Sequence, residues 1–317
     1  MDGPLPSYAV VTPVRDEAEH FARTAESLIG QEHRPLQWVV VDDGSTDGTR
    51  ELAARYASEH AWISVIDAGA AAHERARGAP IVRAFNAGLA TLTTAPDVVV
   101  KLDGDLYLAP QYFAWVCRVF ADDPRAGIVG GVAYIPGEDG RWRLDNVNLD
   151  TLRGVAKAYR RATLDDIGGL PESMGWDGID EFAARARDWN VHVLTELPIL
   201  HYRPRGARQS WPKARFEEGR ANHFMGYRPS FLAVRVGYRM LVERPPLLAG
   251  LALAAGYVHA AVTRRPQMPD ERARALLRED QARRLRLLRR GRTTTAARPL
   301  PGGGPAYTAT GRPGHDD

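Results

Sequence analysis

Residues 37–45 read QWVVVDDGS, an apolar run that ends in two carboxylates, a glycine and a serine. A short apolar stretch bounded by turn residues predicts a buried strand, here Gln37–Val41, which the following Asp42-Asp43-Gly44-Ser45 ends. The same character recurs in Tyr8–Pro13 (YAVVTP), in Trp62–Ile66 and in Asp97–Leu102 (DVVVKL). Four such stretches in the first third of the chain predict a buried sheet.

Segments with apolar residues at helical spacing separate these strands, and they predict βαβ units with a mainly parallel central sheet. In such sheets, ligands bind beyond the carboxyl ends of the strands. Further along, the pattern predicts strands at Gly127–Ile135, Gly154–Arg160, Val191–Leu194 and Ile199–Tyr202. It also predicts helices at Glu17–Ile29, after Thr46 or Asp47, at Ala79–Leu92, Pro110–Phe120 and Ile179–Trp189, and a polar loop at Gly137–Asp150.

Polar motifs stand at three of the predicted strand ends: Thr12-Pro13, Asp42-Asp43-Gly44 and Asp103-Gly104-Asp105. Two carboxylates two residues apart can share one hard divalent cation, or divide between a cation and a sugar hydroxyl. Such a cation suits a diphosphate leaving group, because negative charge develops on its oxygens. Solvated turns are the alternative for both acidic motifs, with Ser45 or Thr46 as a helix cap.

Four motifs in order resemble the signatures of the family 2 glycosyltransferases, which adopt the GT-A fold, a nucleotide-binding α/β sandwich. They are Thr12–Glu17 (TPVRDE), Val40–Asp47 (VVDDGSTD), Asn86–Leu89 (NAGL) and Leu102–Asp105 (LDGD). The resemblance runs from about Tyr8 to Arg203. Each motif alone is weak, but the ordered set is specific.

The resemblance implies a nucleotide site. Pro13 and the loop after it would line the pocket, Asp43 would hydrogen-bond the base, expected to be uracil, and Asp42 would support Asp43. Arg83 would contact the nucleotide, although it lies three residues before Asn86, whereas the family often has the arginine adjacent.

The resemblance also implies a metal site for Mg²⁺ or Mn²⁺ on the diphosphate. Asp105 would coordinate the cation and Asp103 would face the ribose, the sugar or the cation. His201 would be a further ligand or a contact to the diphosphate; its alternative is a structural, hydrogen-bonded histidine at a strand end.

The acceptor side is expected around Gly168–Glu181, in the place of the family's acceptor loop and acidic motif. The family usually has an adjacent Glu-Asp pair there, whereas this chain offers Asp177, Asp180 and Glu181. An inverting enzyme needs one carboxylate to take the acceptor proton. Counting back from the predicted helix end favours Asp180, then Asp177, although either can simply cap the helix. Trp176 would stack on an acceptor sugar, or belong to the core.

The C-terminal third predicts a helical appendage at residues 206–292, after a catalytic domain at 1–205 and before a disordered tail at 293–317. Pro245–Val262 has 18 residues without a charge, which favours a helix packed on the domain or lying at a membrane surface over one that spans it. Glu271–Arg290 has leucines near one face and arginines on the others, as in a helix on anionic lipid. A docked helix, a dimer contact and nucleic-acid binding are its alternatives, and no recognised nucleic-acid motif supports the last.

Charge separates the body from its appendage. The net charge is +3, but residues 264–292 hold eleven Arg against four acids, so the first 263 residues are acidic. One cysteine, Cys117, excludes an intrachain disulfide, and the start of the chain shows no secretory signal. We therefore expect the protein in the cytoplasm, or as a peripheral protein on the inner face of the membrane.

The combined prediction is an inverting, metal-assisted glycosyltransferase. It would move a sugar from a nucleotide-diphospho-sugar to a hydroxyl of a saccharide or lipid-linked acceptor. A catalytically silent nucleotide-sugar-binding protein on the same fold stays open. A sugar-1-phosphate nucleotidyltransferase is less favoured, because Pro13–Glu17 is not the Gly-rich, basic loop that grips a triphosphate.

Overall fold

Nine strands form one mixed sheet in the computed structural model, which describes residues 3–68, 79–137, 139–145, 149–202, 211–243 and 246–289. The strands are β1 (Tyr8–Val14), β2 (Gln37–Asp42), β3 (Ile63–Asp67), β4 (Val98–Leu102), β5 (Leu106–Leu108), β6 (Ala126–Pro136), β7 (Trp142–Leu144), β8 (Ala156–Arg160) and β9 (Asn190–His201). The helices of the same region are α1 (Ala18–Ile29), α2 (Thr49–Glu59), α3 (Ala79–Ala90), α4 (Tyr112–Asp122), α5 (Arg161–Asp166) and α6 (Trp176–Arg185).

The sheet order is β3-β2-β1-β4-β8-β6-β9-β5, with β7 paired to β6. The four strands from β3 to β4 are parallel, as the βαβ pattern predicts. Beyond β4 the sheet is mixed: β8 is antiparallel to β4 and β6, β9 is parallel to β6, and β5 is antiparallel to β9. The predicted α/β class is therefore confirmed, with parallel pairing concentrated in the N-terminal half.

Alternating residues of the central strands build two apolar clusters on opposite faces. Val10 and Val40 face one side and pack in the cluster that holds Phe21 of α1, whereas Val11 and Val39 pack in the cluster that holds Phe85 of α3. Because both faces are covered, these strands read as continuous apolar runs. Their polar ends are then the places where the chain can present functional groups.

Two elements near the acceptor side differ from the sequence prediction. Helix α6 begins at Trp176 and not at Ile179, since Gly175 precedes it with a left-handed φ of 84° that favours glycine. The strands predicted at Val191–Leu194 and Ile199–Tyr202 are one strand, β9, whose register against β6 shifts between Leu194 and Pro198. A bulge of this kind lets one strand continue past an irregular stretch that reads as a break.

Four helices follow the sheet: α7 (Trp211–Phe224), α8 (Pro229–Val242), α9 (Leu248–Val262) and α10 (Glu271–Arg289). Helices α7 and α9 touch through their backbones. A Cβ at Gly256 would lie 1.9 Å from the carbonyl oxygen of Phe216, and one at Gly219 would lie 2.0 Å from that of Leu253. Within the described residues, no helix has the length and apolar character to cross a bilayer.

Helix α10 packs on α6, as in the docked-helix alternative. Ala273 and Leu277 are buried against Ile179 and Phe182 of α6, whereas Leu288 is 50% exposed. Contact of α10 with lipid stays a prediction. The predicted domain boundary at 205/206 falls in residues 203–210, outside the described residues, as does the tail at 293–317. The shared cluster shows that the helical region is joined to the sheet domain by a common core.

Candidate active site

The carboxyl ends of β2, β1 and β4 meet at one edge of the sheet. In the parallel register, Val14 of β1 lies opposite Asp42 of β2, while Val11 lies opposite Lys101 of β4. The turn after β4 rests against β1, since a Cβ at Gly104 would lie 2.8 Å from a methyl group of Val14. The glycine in Asp103-Gly104-Asp105 thus permits a close approach that brings both carboxylates to the end of β1.

Asp103, Asp105 and His201 form a group whose ligand atoms all lie within 4.8 Å of one another. Pairing of β5 with β9 places His201 opposite Leu106, next to Asp105. The His201 Nε2 atom lies 3.3 Å from Asp105 Oδ2, and both side chains are nearly buried. Two carboxylates and an imidazole suit Mn²⁺, and the two carboxylates suit Mg²⁺, so these residues fit the predicted cation.

The electrostatics of this group also favour a cation. Burial raises the pKa of Asp103, and the neighbouring charge of Asp105 adds to that effect, against the opposing charge of Lys101. Burial alone lowers the pKa of His201, but the hydrogen bond and charge of Asp105 and the charge of Asp103 outweigh it and raise the pKa above its usual value. The cluster therefore holds an excess of negative charge that a proton or a divalent cation offsets.

The predicted base-binding carboxylate lies at the end of β2. Asp43 is partly exposed, and its Oδ2 atom lies 3.7 Å from Nη1 of Arg15. Burial raises the pKa of Asp43, and Arg15 and Arg83 lower it in part. Arg83 is thus close enough to act on Asp43 electrostatically, while its guanidinium pairs with Glu172 at 3.5 Å.

The other two predicted nucleotide-site residues, Asp42 and Pro13, lie on β2 and β1 beside this strand end. Asp42 is buried, and its Oδ1 atom accepts a hydrogen bond from the backbone of Ser45, which fixes the turn. Pro13 lies on β1 opposite Val41 and is partly exposed. Asp42 thus shapes the turn, and Asp43 is the carboxylate of the pair that solvent reaches.

The acidic residues of α6 divide into two environments. Asp180 and Glu181 are fully buried, and the ammonium of Lys157 lies 3.0 Å from carboxylate oxygens of both. Tyr159 also donates a hydrogen bond to Asp180, and the Leu152 backbone donates one to Glu181. Such a bonded, internal carboxylate does not suit the predicted role of Asp180 in taking a proton from an external acceptor.

Asp177, in contrast, is partly exposed in the first turn of α6. The helix dipole favours a negative charge at this position. A Cβ on Gly154 would lie 3.0 Å from Cβ of Asp177, so the side chain starts beside the segment that leads into β8. Counting back from the predicted helix end at Trp189 pointed to Asp180, whereas α6 ends at Arg185 and begins at Trp176.

Trp176 is 5% exposed and belongs to the apolar cluster on the α3 face of the sheet. The ammonium groups of Lys101 and Lys157 lie 5.2 and 5.9 Å from its ring centroid. The ring therefore lies against two cations inside the protein. That burial leaves little surface for the acceptor-stacking role that the sequence suggested.

Two buried lysines contact the candidate site residues, and the motifs did not point to them. Lys101 and Lys157 lie opposite each other on β4 and β8, and both are essentially inaccessible to solvent. Lys101 hydrogen-bonds Asp103 of the metal group and the carbonyl of Gly154, while Lys157 holds Asp180 and Glu181 of α6. A signal was present: the chain has 42 basic residues, only three of which are lysines.

Comparison with known proteins supports the fold and the family. The family model described as Glycosyl transferase family 2 matches residues 9–174, just over half of the chain. Beta-monoglucosyldiacylglycerol synthase of Nostoc sp. strain PCC 7120 is 24% identical over 260 residues, which cover 75% of this chain and 54% of that protein. The chain thus spans about half the length of this curated relative.

Two solved structures share the fold at low identity. Mannosyltransferase PcManGT from Pyrobaculum calidifontis, in complex with GDP-Man and Mn²⁺, has a TM-score of 0.54 and 20% identity, covering 92% of this chain and 84% of that one. S. aureus TarS 1-349, in complex with UDP-GlcNAc, has a TM-score of 0.51 and 18% identity, covering 80% and 73%. Taken with the ordered motifs at the strand ends, the family match shows that the chain belongs to glycosyl transferase family 2.

Proposed function

We propose that the protein is an inverting, metal-assisted glycosyltransferase that uses a nucleotide-diphospho-sugar, with UDP as the expected carrier. The observation that carries the proposal is the group of Asp103, Asp105 and His201 at the end of β4, on the same sheet edge as Asp43. A divalent cation and a base-binding carboxylate at one sheet edge are the two requirements for binding both ends of a nucleoside diphosphate.

Asp43 binds the base in this proposal, since its partly exposed carboxylate can accept a hydrogen bond from a ring N–H. Uracil and guanine both offer such a donor, and the two solved structures hold UDP-GlcNAc and GDP-Man. Arg15 and Arg83 keep positive charge near Asp43, where it would also attract the phosphates. The resemblance to the family is what favours uracil.

Asp103, Asp105 and His201 would hold Mg²⁺ or Mn²⁺. The cation would neutralise the negative charge that develops on the departing diphosphate. The chain contributes a prearranged ligand set, because Lys101 fixes Asp103 through one hydrogen bond and is itself fixed by the carbonyl of Gly154. Prearranged charge of this kind acts without reorganisation during the reaction.

Asp177 is the general base in this proposal, in preference to Asp180 and Glu181. It is the acid of the three that solvent reaches, and it stands in the first turn of α6. Asp177 takes the proton of the acceptor hydroxyl as that oxygen attacks the anomeric carbon, and the nucleoside diphosphate leaves from the opposite face. This geometry inverts the anomeric configuration.

The acceptor is proposed to be a saccharide or a lipid-linked molecule. The Nostoc relative is named for monoglucosyldiacylglycerol, a glycosylated lipid, which supports a lipid among the candidates. Because Asp177 is partly exposed at the start of α6, an acceptor molecule can approach it from the solvent.

Calorimetric titration of UDP and GDP, each with and without Mn²⁺, tests the donor site. We expect Mn²⁺ to strengthen binding of one nucleotide, and Asp105→Asn to abolish that gain. Asp122→Asn is the matched control, because Asp122 is an exposed aspartate on α4. Equal binding with and without Mn²⁺ would refute the metal-assisted site, and Mn²⁺-dependent binding without turnover of any sugar donor would favour a silent binding protein.

A further inference from the structure

Exposed apolar side chains are concentrated on α8, α9 and the turn between them. Twelve large hydrophobic side chains are exposed among the described residues, and nine of them belong to this one hairpin of helices. We call these nine side chains the α8–α9 face; Leu241 and Val262, at 83% and 75% exposure, are its most exposed members. A cluster of this kind on a soluble domain marks a binding surface.

Helix α9 has two distinct apolar sides. Ala249, Leu253 and Ala260 are buried, on the side that meets α7. Leu248, Leu251, Val258 and Val262 recur at helical spacing on the opposite side and are exposed. Because no residue from 245 to 262 carries a charge, α9 lacks the polar face of an ordinary surface helix. Its outer side is therefore more stable in an apolar environment than in water.

Helix α8 extends this surface. A Cβ on Gly250 of α9 would lie 2.4 Å from the Met240 side chain and 2.6 Å from the Val236 carbonyl, so the two helices are in direct contact. Val234, Tyr238, Leu241 and Val242 are exposed along α8 at spacings of three and four residues. Both helices of this hairpin therefore present exposed apolar side chains.

Positive charge is in excess in this part of the chain. Residues 228–265 contain six Arg and one acid, Glu243, which is paired with Arg215 and Arg239. Two of the six, Arg235 and Arg239, also pair with Glu218 of α7. Arg264 and Arg265 follow α9 directly and are exposed. An apolar face with a cationic border matches an anionic bilayer, whereas a two-fold contact between copies would bring this excess of arginines together.

We propose that the α8–α9 face lies in the interface of an anionic lipid bilayer, with Arg264 and Arg265 at the level of the headgroups. The 15 residues of α9 extend about 22 Å, which is too short to cross a hydrocarbon core of about 30 Å; the helix therefore lies along the surface. The proposal concerns docking and does not depend on the transfer reaction. It assigns lipid contact to α8 and α9, whereas Ala273 and Leu277 of α10 are buried on α6.

Co-sedimentation of the full chain with vesicles tests the proposal. Vesicles of phosphatidylcholine alone and of phosphatidylcholine with 30% phosphatidylglycerol would be compared for the wild type and for Leu241→Glu/Leu251→Glu. Burial of one leucine is worth about a factor of ten or more, so we expect the double variant to lose binding to the anionic vesicles by at least about tenfold. Leu36→Glu, at an exposed leucine outside the α8–α9 face, should bind as the wild type does.

The arginine border has its own test. Arg264→Gln/Arg265→Gln should weaken binding to anionic vesicles by about fivefold per residue and leave the weak binding to neutral vesicles unchanged. Absence of wild-type binding to the anionic vesicles would overturn the proposal. So would a lipid-free dimer that Leu241→Glu/Leu251→Glu converts to a monomer, because the face would then be a contact between copies.

Nucleotide binding separates this inference from the proposed function. Calorimetry with Mn²⁺ and UDP or GDP should give the same affinity for the wild type and for Leu241→Glu/Leu251→Glu. Loss of vesicle binding with intact nucleotide binding supports the docking face. Failure of the nucleotide titration in the wild type would refute the proposed function without affecting the vesicle result.

Discussion

Replacement of Lys157 by methionine should destabilise the protein strongly, because this one cation compensates two buried carboxylates. Its ammonium lies 3.0 Å from both oxygens of Asp180 and 3.0 Å from Oε1 of Glu181, and all three side chains are inaccessible to solvent. In the variant, Arg185 is the nearest described cation to Glu181, at 3.5 Å and partly exposed. Loss of one partner from a buried ion pair costs about 3–5 kcal/mol.

The pH dependence of the variant follows from the same contacts. Burial raises the pKa of Asp180 and Glu181, and Lys157 opposes that rise. Without Lys157 both folded-state pKa values increase further above the unfolded ones, so folding takes up protons. The free energy of unfolding of Lys157→Met should therefore fall as pH rises, by about 1.4 kcal/mol per pH unit for each carboxyl group. This loss begins above the unfolded values of 3.8 and 4.5 and continues up to the folded-state pKa.

Urea unfolding at pH 5 and pH 8, followed by tryptophan fluorescence, measures both effects. Lys213→Met is the matched control, since Lys213 is the remaining lysine and is exposed. In Lys157→Met/Asp180→Asn, one buried charge is removed along with the cation, and the loss of stability should be smaller than in Lys157→Met alone. A Lys157→Met variant that is destabilised by less than about 1 kcal/mol at both pH values would refute the buried ion-pair argument.

Three further variants probe the base, the helical region and the backbone contact. Asp177→Asn should lower kcat by about 10²–10⁴-fold without weakening nucleotide binding; an unchanged kcat would remove Asp177 as the base. Burial alone raises the pKa of Glu218, but Arg235 and neighbouring arginines lower it from 4.5 to about 2, so Glu218→Gln should cost about 3 kcal/mol at pH 7. That difference from the wild type in urea unfolding should shrink as pH falls from about 4.5 toward about 2, and a constant difference would contradict the assignment. Gly256→Ala should lower stability by about 1–3 kcal/mol, because its Cβ would meet the Phe216 carbonyl. In contrast, Gly237→Ala, where a Cβ meets nothing within 4 Å, should be neutral or stabilising.

Local patterns predicted the nucleotide side of the site because its geometry is local. Strands β2, β1 and β4 are neighbouring parallel strands built from βαβ units, and their carboxyl ends therefore meet at one sheet edge. The acidic motifs at residues 42–43 and 103–105 therefore follow from the order of strands and helices. Their chemical roles stay predictions, whereas their positions are features of the fold.

Long-range pairing placed His201, and no local pattern contains that information. Residues 106 and 201 are neighbours because β5 pairs antiparallel with β9 across 95 positions of chain. The sequence shows a histidine at the end of a predicted strand, but it does not show which residues lie next to that histidine. The predicted helix Ile179–Trp189 was also displaced, since α6 runs from Trp176 to Arg185 after the left-handed Gly175.

The two buried lysines show how a compositional signal can carry structural information. In a chain where arginine supplies almost all positive charge, two of the three lysines, Lys101 and Lys157, lie in enclosed positions. The Lys157 ammonium donates to Asp180, Glu181 and the Asp177 carbonyl, which uses the three donors of a compact, rotatable group. Arginine would require space for a planar fork in a fully enclosed site. Because Lys101 lies opposite Lys157 and holds Asp103, one cross-strand pair supports both the metal group and the helix that carries Asp177. We therefore expect Lys101→Arg to weaken Mn²⁺-dependent nucleotide binding although charge is conserved, while an unchanged affinity would show that the site has room for the larger group.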